Sequence, residues 1–216
     1  MSQRPTCAVV QSPKRVPLSF VIGLVGVVGL AGCGRSGPED GQREPGKLSL
    51  WEPDSNLMAQ LAPYAKVGPY RVRPPSGYKQ VKTPKAPAGL TMFTWANPPR
   101  PDGTRATFSV AILTPPPGES LPGGLDKTTE ESVVGVKARR TNWSQTPQER
   151  GLIAGLEFTR VRWSGTEATT GRKMHGFMYV TIIGKEAVQL SSQDVDPDHE
   201  PPLQLAEAAA LTFQKQ

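Results

Sequence analysis

The sequence predicts an α+β domain built on an antiparallel β-sheet flanked by helices, behind an apolar N-terminal segment. Runs of β-branched and aromatic residues recur in neighbouring pairs joined by turn-forming residues, which is typical of antiparallel strands. Between and after these runs, apolar residues repeat at helical spacing. The order along the chain is helix, strands, helix, strands, helix. Elements arranged in this way form α+β sandwiches in which helices cover a sheet.

The N-terminal apolar run extends from Val16 to Leu30 and ends in the sequence Leu30-Ala31-Gly32-Cys33. It has about 15 residues, short of the roughly 20 that a membrane-spanning helix needs. Basic residues precede it and small residues end it, as in a secretory signal. The final four residues resemble the lipobox of bacterial lipoproteins. That resemblance implies cleavage before Cys33, acylation of its thiol and a lasting lipid anchor. A plain signal peptide with an incidental cysteine is the alternative.

Composition sets the organisation of the remaining chain. Cleavage before Cys33 removes Cys7 and leaves 184 residues with a single cysteine, so no disulfide forms within them. It also lowers the formal net charge from +6 to +3, which is too small and too dispersed for nucleic-acid binding. We therefore predict a signal peptide over residues 1–32, a flexible tether over 33–50 that is rich in Gly, Pro and charge, and one domain over 51–216.

The first half of the domain is predicted to hold a short helix and a β-hairpin. The helix begins near Leu57, and both Asp54 and Ser55 are available to cap its first amide groups. Residues 68–81 alternate only weakly between apolar and polar. Residues 90–97 and 106–113 are the two strands of the hairpin, and the connection between them contains an Asp-Gly dipeptide that suits a tight turn.

The second half is predicted to hold two longer helices and a meander. A helix over residues 125–140 carries apolar residues on one face, including Val133 and Val136. Three strands follow, which we predict over 152–163, 172–183 and 186–192. The chain closes with apolar residues at helical spacing up to Phe213. This pattern predicts a second helix on the same sheet.

Several of these segments resemble the PsbP-like α/β/α sandwich domains, which recur in small bacterial lipoproteins. The similarity covers roughly residues 68–215 and is carried by the Pro75 to Tyr78 turn, the Ile153 to Arg160 strand with its Gly155, and the closing Thr212-Phe213. These residues specify packing and turns, so the resemblance implies a fold and no catalytic residue. Members of that group with known roles bind other proteins, as at the oxygen-evolving side of photosystems.

Candidate residues for chemistry are few. The histidines are His175, in a predicted strand, and His199, in the acidic segment 194–200. Neither has a cysteine or a second histidine at metal-ligand spacing, so a transition-metal site would need ligands from distant parts of the chain. The acidic segment begins like a calcium loop, but His199 stands where the turn requires glycine, and Leu205 where the bidentate carboxylate is required. We predict no catalytic residue, no metal ligand and no cofactor.

Aromatic and basic residues beside polar segments are the predicted contacts with a partner, because tryptophan and arginine are enriched at binding surfaces. These residues are Trp51, Trp143, Arg139 and Arg140. Trp95 and Trp163 lie within predicted strands and are expected to be structural.

Two functional hypotheses follow. The favoured one is a noncatalytic binding or assembly lipoprotein, anchored through Cys33 on the extracytoplasmic side of a bacterial membrane and facing a protein or cell-envelope partner. The alternative is an envelope hydrolase or metal-dependent enzyme whose site is assembled around His175 and His199. The positions of the two histidines discriminate between them. If they lie on opposite sides of the domain with no deep polar pocket, the enzyme hypothesis loses its main support.

Overall fold

The computed structural model describes residues 48–82, 86–121 and 123–216. The predicted signal peptide, Cys33 and most of the predicted tether lie outside these residues. Within the described ranges, no helix is long and apolar enough to cross a membrane. In chain order the elements are β1 (Ser49–Leu50), α1 (Ser55–Met58), β2 (Ala65–Val67), β3 (Tyr70–Val72), β4 (Lys79–Val81), β5 (Leu90–Ala96), β6 (Thr107–Leu113), α2 (Gly124–Lys137), β7 (Arg140–Gln145), β8 (Glu149–Ile153), β9 (Leu156–Glu167), β10 (Lys173–Ile183), β11 (Glu186–Val195), α3 (Glu200–Ala210) and β12 (Gln214–Lys215).

A nine-stranded sheet forms the centre of the fold. Its order is β1-β8-β9-β10-β11-β6-β5-β4, and β7 pairs with the C-terminal part of β9. The pairing of β1 with β8 is parallel, and the other strand pairs of this sheet are antiparallel. Strands β9 to β11 form the predicted meander, and β5 pairs with β6 as the predicted hairpin. The antiparallel α+β class is therefore confirmed.

The two long helices cover opposite faces of this sheet. Side chains alternate between the faces of a strand, and β10 shows the division. Phe177 and Tyr179 pack in the cluster that includes α3, whereas Met174 and Met178 pack in the cluster that includes α2. Helix α2 contacts β7, β9 and β10, and α3 contacts β10 and β11. The layers are those of the expected α/β/α sandwich.

The main core lies between α3 and the sheet. Helix α3 buries Ala206, Ala209 and Ala210 completely, and these small side chains let the helix approach the strands closely. Phe213, just after the helix, is also fully buried and meets Phe158 edge to face, with ring centroids 5.9 Å apart. Burying a phenylalanine side chain of this kind contributes about 1.5–3 kcal/mol to folding.

A second sheet of three strands, β12-β3-β2, was not predicted. After α3 the chain returns so that Gln214 pairs with Arg71 and Lys215 pairs with Tyr70. The pairing joins segments that lie far apart in the sequence, so its partners share no local sequence pattern. Strand β3 lies within residues 68–81, where apolar and polar residues alternate only weakly.

Two predicted boundaries of helices and strands were wrong. The strand expected over 152–163 is a hairpin, because Ala154 and Gly155 have φ values of 48° and 78° and form the two-residue turn between β8 and β9. Helix α2 ends at Lys137, and Arg140, the last residue of the predicted helix, begins β7. Ser49 and Leu50, at the end of the predicted tether, pair with β8 as part of the sheet.

Candidate functional site

The fold brings the two histidines into direct contact. His175 lies on β10, and the neighbouring strand β11 ends at Val195. The chain then passes through Asp196 to His199, which caps the N-terminus of α3. The two imidazole rings stack with their centroids 3.6 Å apart and their planes 8° from parallel. The histidines therefore lie on the same side of the domain. An arrangement on opposite sides would have weakened the enzyme hypothesis, and the structure does not have it.

Asp196 joins the pair. Its Oδ1 lies 2.8 Å from Nε2 of His175 and 2.8 Å from Nδ1 of His199. Water does not reach either nitrogen. Among the described residues, neither nitrogen has a hydrogen-bond partner. The other oxygen, Oδ2, lies 3.1 Å from Nζ of Lys173. We call His175, Asp196 and His199 the histidine-aspartate cluster.

The surroundings favour a neutral imidazole beside an ionised carboxylate. Burial and the adjacent His199 lower the pKa of His175, and they outweigh Asp196, which raises it. Burial raises the pKa of Asp196, but Lys173 and the histidines outweigh burial and hold that pKa below its usual range. Neutral imidazole and carboxylate are the forms in which these side chains bind metals.

A buried ion pair lies next to the cluster. Asp194 faces His175 across the β10–β11 pair and is 1% exposed. Arg100 donates two hydrogen bonds to its carboxylate, at 2.6 and 2.5 Å. Burial and the charge of Asp194 raise the pKa of the nearby Tyr78 to about 12. A buried charge is stable only when it is paired, so Arg100 and Asp194 fix this corner of the sheet.

A cavity of about 240 Å³ opens beside this ion pair. It is lined by Arg100, Pro101, Asp102, Thr104, Val195, Asp196, Pro197 and Asp198. Asp196 thus borders both the cavity and the histidine-aspartate cluster. This aspartate lies in the acidic segment 194–200 but was not predicted as a ligand, although its spacing of three residues from His199 is a signal of a metal site.

Trp51, the first predicted contact residue, is half-buried against the sheet. Its ring covers Gly151 so closely that a Cβ atom there would lie 2.3 Å from the ring, which requires glycine at this position. The Arg160 guanidinium lies over the same ring, 4.8 Å from a ring centroid. Tyr179 meets it edge-on at 5.4 Å. The contacts of Trp51 fasten β1 to the sheet.

Trp143 and Arg140 pack around one buried tryptophan. The ring of Trp143 stacks on Trp163 at 5.3 Å, and the guanidinium of Arg140 lies 4.3 Å from a ring centroid of Trp163. Arg140 also donates to the backbone oxygen of Val136, at 2.7 Å. Burial lowers the pKa of Arg140 to about 10, so it stays charged at neutral pH. Arg139, by contrast, is exposed.

These layers define the class of protein: the chain has a PsbP-like α/β/α sandwich fold. It is similar to the solution structure of the cyanobacterial PsbP protein CyanoP from Synechocystis, with a TM-score of 0.50 and 15% sequence identity. The similarity covers 87% of this chain and 99% of CyanoP. At this identity the likeness shows the fold alone.

Two other solved structures are similar at lower TM-scores. The Ran-binding protein Mog1p of Saccharomyces cerevisiae has a TM-score of 0.49 and 11% identity, over 71% of this chain and 96% of that protein. LpqN, involved in cell envelope biogenesis of Mycobacterium tuberculosis, has a TM-score of 0.46 and 12% identity, over 66% and 79%. No protein-family model and no curated protein matches the sequence.

Proposed function

We propose that this protein is a lipid-anchored bacterial lipoprotein that acts as a noncatalytic binding or assembly module at the cell envelope. The observation that supports it most directly is a lipobox-like sequence at residues 30–33 ahead of a PsbP-like sandwich that begins with β1. Each acyl methylene buried in the bilayer contributes about 0.8 kcal/mol, so two or three chains on Cys33 give a lasting anchor.

The segment between Cys33 and the sandwich suits a tether. Residues 34–47 contain Gly, Pro, charged and polar side chains and no aliphatic one. A flexible coil of this length spans on the order of 20 Å. The sandwich would then meet its partner close to the membrane surface.

The partner surface that we propose lies at the start of β7. Arg139 is exposed and forms no ion pair with the described residues, and Trp143, four residues further along the chain, is partly exposed. Trp51 and Arg140 belong to the same proposed set but act mainly by packing, against Gly151 and Trp163 respectively. An exposed arginine and a partly exposed tryptophan on one segment suit a protein partner with an acidic surface.

A metal-dependent envelope enzyme is the second candidate, and one observation favours it. His175 and His199 stack at 3.6 Å and share the carboxylate of Asp196, next to a cavity of about 240 Å³. General acid-base chemistry and metal-assisted hydrolysis both use such groups. The binding hypothesis is favoured because the fold resemblance brings no nucleophile or catalytic motif to these positions.

Complementation of a strain that lacks the gene separates the two candidates. The variant His175→Ala/His199→Ala should restore the wild-type phenotype, because partner binding needs no proton transfer at this cluster. The variant Arg139→Glu/Trp143→Ala should fail to restore it, because it reverses the charge and removes the ring at the proposed surface. Circular dichroism must first show that both variants fold. The opposite pattern, with a turnover lost together with the histidines, would overturn the binding hypothesis.

A further inference from the structure

We propose that the histidine-aspartate cluster is a binding site for a divalent transition-metal ion, of which Zn²⁺ fits its donor atoms well. The inference is independent of the proposed partner binding, because an ion can occupy this cluster whether or not β7 contacts a protein. It assigns a ligand to residues that the sequence places far apart.

The donor set is the first support. Two imidazole nitrogens and one carboxylate oxygen are the ligands that Zn²⁺ and similar ions take in sites with three protein ligands. One such atom from each of His175, Asp196 and His199 lies within 4.8 Å of the other two. A fourth coordination position would remain for water or another ligand, as in zinc sites that have three protein ligands and one open position.

The distances are the second support. Two metal bonds of about 2.1 Å that meet at a right angle hold their ligand atoms about 3 Å apart. The carboxylate oxygen of Asp196 lies 2.8 Å from each ring nitrogen. The spacing between the oxygen and either nitrogen is therefore close to that of two ligand atoms on one ion, and the orientation of the rings is what must change. A tetrahedral arrangement requires a larger opening, of about half an ångström.

The third support is the state of the two nitrogens. Nε2 of His175 and Nδ1 of His199 are inaccessible to water and have no hydrogen-bond partner among the described residues. Burying a polar atom in this way is unfavourable. A bound ion would satisfy both atoms at once. Lys173 holds the other oxygen of Asp196 at 3.1 Å and so keeps the carboxylate turned toward the rings.

Binding must turn one of the rings. An ion bonds to an imidazole nitrogen in the plane of the ring, and two rings stacked 8° from parallel cannot share one such ion. His175 is held within the paired strand β10, whereas His199 lies in the turn between β11 and α3. Both side chains are partly exposed, at 22% and 24%. The ring of His199 is therefore the one that we expect to swing out of the stack.

The test uses the full chain in mild detergent, without a histidine tag and with both cysteines replaced by serine, because thiolates also bind Zn²⁺. After chelator treatment, calorimetric titration with Zn²⁺ should show one ion per chain. Asp196→Asn, His175→Ala and His199→Ala should each weaken Zn²⁺ binding at least about tenfold. Loss of a residue that only hydrogen-bonds to a metal ligand already weakens binding by about that factor, so loss of a ligand should weaken it at least as much. Asp198→Asn is the matched control. It removes the same charge from the same turn and should leave the affinity unchanged.

A spectroscopic measurement guards against misfolded variants. The chain contains two histidines, so the wild-type NMR spectrum has two sets of imidazole ring protons. Zn²⁺ should shift both sets, and the His199 set should lose the ring-current effect of the stacked partner. The proposal is overturned if the imidazole signals do not respond to Zn²⁺, or if Asp198→Asn weakens binding as much as Asp196→Asn.

Discussion

Tyr70 shows how one buried hydroxyl ties the small sheet to the large one. The residue is 3% exposed on β3, and its ring lies 5.0 Å from that of Phe213. Its hydroxyl donates to Oε2 of Glu186 at 2.8 Å, at the start of β11. Burial, followed by the hydrogen bond and the charge of Glu186, raises the pKa of Tyr70 to about 12.

This raised pKa predicts a loss of stability in alkali. An unfolded tyrosine ionises near pH 10, whereas the folded Tyr70 stays neutral to about pH 12. Its contribution is therefore complete below pH 10 and is lost as the pH rises from 10 to 12. Tyr70→Phe should cost about 1 kcal/mol at pH 8 for the lost hydrogen bond and should reduce the alkaline fall. Urea unfolding at pH 8 and pH 11 measures both. An equal fall in variant and wild type would contradict the assignment.

The roles of individual residues were predictable where the local pattern decides them. Trp95 and Trp163 are buried in strands, as expected. Trp163 also covers Gly176, where a Cβ atom would lie 2.4 Å from its ring. That partnership lies across a strand pair, and sequence alone does not show it. The same holds for Arg140, predicted as a contact residue, because only the fold reveals that Trp163 lies beneath its guanidinium.

At the level of elements, the neighbourhood of His175 could have been predicted by counting residues from a turn. Strands are predicted on both sides of Gly184-Lys185, and Ile183 pairs with Glu186 there. Each step away from that turn advances both strands by one residue, so His175 falls opposite Asp194. The prediction of β10 and β11 thus contained the neighbourhood of the cluster. Asp196 and His199 lie beyond the end of β11, where register no longer fixes positions.

The two covering helices give a prediction about packing. Phe213→Ala should leave a cavity beneath α3 and cost roughly 3 to 5 kcal/mol, since the side chain is fully buried. Val136→Asp should place a charge against the α2 cluster and cost about 1–3 kcal/mol. Val134→Asp is the control on the same helix, because Val134 is 63% exposed. Chemical unfolding provides the free energies. If Val134→Asp and Val136→Asp cost the same, the orientation of α2 is wrong.

For the whole molecule, the decisive prediction concerns the anchor. Acylation in the lipoprotein family takes place on the thiol, so Cys33→Ser should abolish incorporation of labelled palmitate and leave the precursor uncleaved. Cys7→Ser is the matched control and should label as the wild type does, since Cys7 lies before the cleavage position. Labelling of the Cys33→Ser variant at the wild-type level would refute the anchor.

The alternation of helices and strands was enough to predict the sandwich, because each layer depends on local periodicity. The small sheet was not predicted, because β3 and β12 lie far apart in the sequence and no local pattern indicates that they pair. The hairpin between β8 and β9 was missed for a different reason. Ala154 sits in its turn with a φ of 48°, a conformation that alanine rarely adopts and that a sequence pattern does not indicate.

The edges of the nine-stranded sheet have a consequence for crowding. An exposed strand edge is a template for pairing with another chain, and proteins limit that risk with short or irregular edge strands. One edge here is β4, with three residues, and at the other lies β1, with two. The longer β7 has a shift of register between Thr141 and Ser144. Copies at high local concentration collide often, and these short or irregular edges offer them little backbone on which to polymerise into fibrils.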